Sequence, residues 1–150
     1  MYCVHDATKK YTNMRFESKK DLERERVAIE KFVGRFGGSY KKLDPNDVDY
    51  RIYDSAGELI AYAEVKGRYR SIANAYPLPV AARKVVKLCD KRLNPVIIWA
   101  CDDGLIYGKP THLTGDVRWG GRKPHDGAYN DEEIMIYYDK QKEFRYIKYY

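Results

Sequence analysis

A chain of 150 residues has the usual size of one globular domain, large enough to bury a core without disulfide or metal staples. Its 44% hydrophobic residues exclude global disorder, and 33% charged residues, with no apolar run near the ~20 needed to cross a bilayer, exclude a membrane-spanning protein. The 28 basic and 22 acidic side chains leave a net charge of +6, unevenly spread: positions 1–42 hold 11 basic and 6 acidic residues, positions 43–150 hold 17 and 16. Such a basic flank favours a polyanionic partner such as nucleic acid, against the plainer reading of a solubilising surface.

Positions 1–17 have little periodicity and read as an N-terminal arm without the apolar stretch of a signal peptide, ahead of one domain over 18–150. Ser18 suits the cap of a helix over 19–36 that Gly37-Gly38 ends, with Leu22, Ala28, Ile29, Phe32, Val33 and Phe36 on one face. A short strand is expected at 39–43, then a hairpin of strands 47–53 and 58–66 around Asp54-Ser55-Ala56-Gly57. Pairing Tyr53 with Glu58 places Val48, Tyr50 and Ile52 opposite Ala63, Ala61 and Leu59 on an apolar face, and Asp47 opposite Glu64 on a polar one. A basic crossover follows at 67–77, then a second helix over 78–93 that buries Leu78, Ala81, Ala82, Val85, Leu88 and Cys89. Residues 95–101 read as a strand buried on both faces, as at the centre of a sheet. A tight turn leads to a strand at 105–108, positions 110–130 read as irregular, and strands near 133–138 and 144–149 end the chain. Three cysteines and three histidines form no zinc spacing or disulfide framework, which fits a reducing cytoplasm.

The polar face of the hairpin carries the chemistry. Glu64 and Lys66, two apart on a strand, point the same way, and Asp47 and Asp49 approach from the neighbouring strand. Acids gathered among Tyr, Ile, Ala and Val are costly to desolvate unless a cation compensates, and a hard divalent ion takes one or two carboxylates plus water and phosphate. On the first helix, Glu25 falls between Phe32 and Phe36 and so interrupts the apolar face. It is either a third acid for such a site or a carboxylate ion-paired with a sheet lysine or arginine.

These residues resemble the PD-(D/E)XK nuclease superfamily, most closely its small Holliday-junction-resolvase-like and phage-type members. The match is Glu25 on the first helix, Pro45-Asn-Asp-Val-Asp49 opening a strand, and Glu64-Val65-Lys66 on the next, then a helix and a buried strand, over about residues 19–109. Because Pro45 is not adjacent to the acid, Asp47 and Asp49 compete for the first position; Asp49, entering a hydrophobic strand, fits better. The resemblance implies a restriction-endonuclease-like α/β fold with an αβββαβ core, its mixed central sheet flanked by helices. It implies Mg²⁺, with Mn²⁺ substituting, held by Asp49, Glu64 and the Val65 carbonyl, with Glu25 as a direct ligand or one step behind. Lys66 would orient or deprotonate the attacking water, and Lys84 is the candidate auxiliary residue from the second helix. The activity implied is endonucleolytic cleavage of DNA, including branched or structured DNA, leaving a 5′-phosphate, by a cytoplasmic protein that acts as a homodimer. Lys41, Lys42, Arg68, Arg70, Arg118, Trp119, Arg122 and Lys123 are the expected nucleic-acid contacts, with Trp119 alternatively tucked into the core. The rival reading is a non-catalytic nucleic-acid-binding or regulatory protein on the same scaffold.

Overall fold

The computed structural model describes residues 18–121 and 132–150; the N-terminal arm expected at 1–17, and Arg122 and Lys123, lie outside the described residues. Helix α1 (Lys19–Gly34) begins with a capping box: the Ser18 hydroxyl accepts from the Asp21 N–H while the Asp21 carboxylate accepts from the Ser18 N–H. It ends two residues sooner than expected, at a turn through Gly37, whose φ of +68° suits glycine. Ala28, Ile29, Phe32 and Val33 are buried as the periodicity requires, whereas Leu22 and Phe36 at either end are exposed.

Strands β1 (Ser39–Lys42), β2 (Tyr50–Tyr53), β3 (Leu59–Gly67), β5 (Pro95–Ala100), β6 (Gly104–Gly108) and β9 (Arg145–Lys148) form one sheet in the order β1-β2-β3-β5-β6-β9. Among the described residues only β3 and β5 pair in parallel, so the sheet is mixed. A parallel neighbour needs a long crossover. Here that crossover contains a 3₁₀ turn (Ile72–Asn74), strand β4 (Leu78–Ala81) and helix α2 (Ala82–Asp90). The αβββαβ order is therefore present, with β4 inserted before the second helix.

Four sequence expectations need correction. The second helix starts at Ala82 rather than 78, because Leu78-Pro-Val-Ala pairs with β8 (Glu133–Tyr138) in a second sheet, β4-β8-β7. Pro79, which has no N–H to donate, is tolerated there because β4 is an edge strand. The stretch expected to be irregular contains β7 (Asp116–Gly120). The hairpin pairs Tyr50 with Ala63 and Ile52 with Ala61, two positions away from the expected partners: the turn sets Tyr53 opposite Leu59 rather than Glu58, and the extra residue Ile60 in β3 adds the second step. Val48 precedes the strand and packs on the opposite side of the sheet from Tyr50 and Ile52.

Two apolar clusters sandwich the main sheet. Tyr50, Ile52, Ala61, Ala63, Ile98 and Leu105 meet α1 on one face. Ile97, Trp99 and Ile106 meet Leu88 of α2 and the inner face of the second sheet on the other. All six residues of β5 are buried, as expected of a central parallel strand. The result is a mixed α/β fold with a mixed central sheet flanked by two helices.

Candidate active site

Alternation along β3 turns Ala61 and Ala63 to the α1 side and Tyr62, Glu64 and Lys66 to the α2 side. Continuing the observed register one step beyond Tyr50–Ala63 sets Asp49, rather than Asp47, beside Glu64. One Asp49 oxygen accepts from the Val65 N–H at 2.8 Å, which locks this carboxylate against β3. Glu64 is 5% exposed; its Oε2 lies 3.3 Å from the Lys84 ammonium, and its buried Oε1 has no hydrogen-bond partner. Burial first, and then the negative charge of Asp49, push the Glu64 carboxyl up to about 8, with Lys84 opposing.

This is a chemical argument for a cation. A buried carboxylate oxygen without a donor, next to a second carboxylate, carries a desolvation penalty that one lysine does not relieve, and a hard oxygen-seeking ion fits those donors. Among the described residues, no three acidic, histidine or cysteine side chains form a complete metal cage. The protein offers two carboxylates, so water and substrate would have to complete the coordination.

Asp47 is placed differently. It is held 2.8 Å from Lys91 Nζ and accepts from the Val48 N–H, and these partners keep its carboxyl below the usual range. Lys87 donates to the Asn46 carbonyl at 2.7 Å. Lysines from α2 and its end therefore tie down both Glu64 and the loop that delivers Asp49. Lys87 and Lys91 did not stand out in the sequence, although Lys84, Leu88 and Lys91 recur at i, i+4 and i+7, the spacing of one helical stripe.

Glu25 is buried on the α1 side of the sheet, where its Oε1 pairs with Lys42 at 3.1 Å. This is the ion-pair alternative that the sequence left open. The Tyr50 hydroxyl hydrogen-bonds to Glu25, and burial, aided by the charges of Glu25 and Asp49, keeps that phenol protonated. Lys42 also lies over the Tyr50 ring at 5.1 Å. Among the described residues, Glu25 does not join the Asp49–Glu64 pair in one cluster.

Of the expected nucleic-acid contacts, Lys41 and Arg70 are exposed. Arg68 is half-buried and donates to the Ala75 and Pro77 carbonyls, so it braces the crossover. Arg118 stacks on Tyr137, with its guanidinium 4.2 Å from the ring centre. Trp119 is 64% exposed rather than tucked into the core, and its indole N–H donates to Glu132. Both stand on β7, in the other sheet from Glu64. No helix among the described residues is long and apolar enough to cross a membrane.

Neither a curated protein nor a solved structure matches the chain. The family model described as "Phage putative PDDEXK endonuclease" matches residues 11–147. With that match over nearly its whole length, the chain belongs to this phage family of the PD-(D/E)XK nuclease superfamily.

Proposed function

We propose that the protein is a metal-dependent endonuclease that hydrolyses phosphodiester bonds in DNA, with branched or structured DNA as its substrate class. The observation that carries this reading is the Asp49–Glu64 pair, with its donorless buried oxygen, on the strand face that also bears Lys66. Asp49, Glu64 and the Val65 carbonyl would hold Mg²⁺, or Mn²⁺ in its place. When bound, the ion supplies charge neutralisation at the phosphate and a more acidic water.

The side chains do the rest. Lys66, two residues beyond Glu64 on the same face, orients the attacking water; as the free amine it takes up the water's proton, and as the resulting ammonium it opposes the charge that develops on the phosphate oxygens. The water oxygen bonds to phosphorus, the bond to the 3′ oxygen breaks, and that oxygen takes a proton from solvent water, leaving a 3′-hydroxyl and a 5′-phosphate. Lys84 favours the ionised form of Glu64 and holds it in place. Asp49 is pre-positioned by the Val65 N–H, so little reorganisation is needed before reaction. Exposed Lys41 and Arg70 would contact flanking phosphates. Cutting both strands of a junction calls for two copies, so a homodimer is the working form we assign.

The test incubates the protein with linear, nicked, single-stranded and four-way-junction DNA in Mg²⁺, Mn²⁺ or EDTA. Cleavage in either metal and none in EDTA, fastest on the junction, is expected. Binding without cleavage in any condition would contradict the enzyme and leave a nucleic-acid-binding protein. Equal rates on all substrates would remove the branch preference.

A further inference from the structure

A cavity of about 480 Å³ opens on the α1 side of the sheet, lined among others by Lys19, Lys20, Arg24, Tyr69, Cys101 and Tyr149. Its size lies within the roughly 300–1,000 Å³ range of small-molecule sites. It sits where the parallel strands β3 and β5 end: Arg24 donates to the Ala100 carbonyl, and the Arg68 N–H donates to the same carbonyl. In an α/β sheet, the carboxyl ends of parallel strands are the usual place for ligands. Arg24 and Tyr69 also flank Gly67, the residue that follows Lys66.

Several features select a planar aromatic ligand that bears phosphate. The Arg24 guanidinium lies 4.1 Å from the Tyr69 ring centre and is fixed by Asp102 at 2.9 Å, so cation and ring form a ready-made stacking pair. Tyr69 remains 56% exposed despite that contact. The Tyr149 hydroxyl is buried and has no hydrogen-bond partner, and burial pushes its pKa up to about 12, so it stays a neutral donor or acceptor. Lys19 and Lys20 contribute exposed cations from the first turn of α1.

We propose that this cavity receives an unpaired nucleobase of the nucleic-acid substrate, stacked on Tyr69 and Arg24, with Lys19 and Lys20 on the adjoining phosphates. The proposal rests on the nuclease reading and deepens it. A paired base inside a duplex cannot enter such a cavity, so the site selects single-stranded, gapped or splayed DNA next to the scissile bond.

The probe is a short single-stranded DNA carrying 2-aminopurine, titrated into Glu64→Gln protein, with the fully paired duplex as comparison. Single-strand binding should quench the fluorophore. Tyr69→Ala should remove the quenching and weaken binding about tenfold, as expected for loss of one stacked base; Tyr69→Phe should retain both. Lys19→Ala with Lys20→Ala should lower the slope of log affinity against log salt by about 1–2 while keeping the quenching. Unchanged quenching and affinity in Tyr69→Ala, or equal quenching with the duplex, would overturn the proposal. Metal-dependent cleavage by the wild-type protein is scored separately. Cleavage without a Tyr69 effect removes the cavity and spares the nuclease; a Tyr69 effect without cleavage does the reverse.

Discussion

Glu64 is the residue on which stability and chemistry conflict. Burial, with the charge of Asp49 beside it, pushes its carboxyl up to about 8 from an ordinary value of 4.5. Between those values the folded protein keeps a proton that the unfolded chain has released, so the contribution of Glu64 to stability without metal is full below about pH 4.5 and is lost progressively as the pH rises toward 8. In EDTA the melting temperature should therefore fall from pH 5 to pH 8. Glu64→Gln, which keeps the shape without the charge, should flatten that slope, and Mg²⁺ should restore the wild-type protein at pH 8. Equal slopes in both proteins would show that Glu64 is not the strained acid. Lys84 is the counterweight: Lys84→Ala leaves the ionised Glu64 with less compensation and should cost about 1–3 kcal/mol at pH 8 in urea unfolding, and less at pH 5. Part of this was legible from residue types alone. An acid, a second acid and Glu-Val-Lys announce the chemistry, and Glu25 was readable as a buried charge. Which cation would meet Glu25 was not legible, because ion pairing depends on tertiary position.

The elements were most legible where burial imposes a pattern. The α1 face and the wholly apolar β5 follow from periodicity, since a residue on the wrong side would face a core or water. The hairpin shows the limit of that reasoning. Alternation fixes which face a residue occupies, and a slip of two positions leaves every face unchanged. The sequence therefore gave no warning that Ile60 bulges and shifts the partners of Tyr50 and Ile52. That shift matters for chemistry, because it brings Asp49 to Glu64 and leaves Asp47 to Lys91. The start of α2 is not legible because Leu78-Pro-Val-Ala buries Leu78 and Val80, a pattern of period two that is too short to distinguish from a helical turn. Helix α2 holds Glu64 through Lys84 and the Asp49 loop through Lys87, and Leu88 is its fully buried anchor. Leu88→Ala should cost about 2–5 kcal/mol in denaturant unfolding. It should also lower cleavage at temperatures where the protein remains folded, because both tethers are displaced. Loss of stability with wholly unchanged cleavage would separate α2 from the site.

At the scale of the molecule, the sheet separates the proposed active site from the proposed base cavity. The α2 side carries Glu64, Lys66, Lys84 and the loop of Asp49, while the α1 side carries Glu25, Lys42 and the Tyr69 cavity; both meet where β3 ends. The basic excess lies largely before residue 43, in the segment that includes Lys19, Lys20, Lys41 and Lys42. DNA affinity should accordingly fall steeply with salt, and the acids that lower the net charge include the two at the centre of the proposed site. The most direct measurement of the central claim is the single-turnover rate of DNA cleavage in Mg²⁺ for the wild-type protein beside Asp49→Asn and Lys66→Ala, each checked for an unchanged melting temperature. The site described here predicts metal-dependent cleavage that falls about 10²–10⁴-fold in each variant while DNA binding persists. Cleavage at the wild-type rate in both folded variants would contradict it.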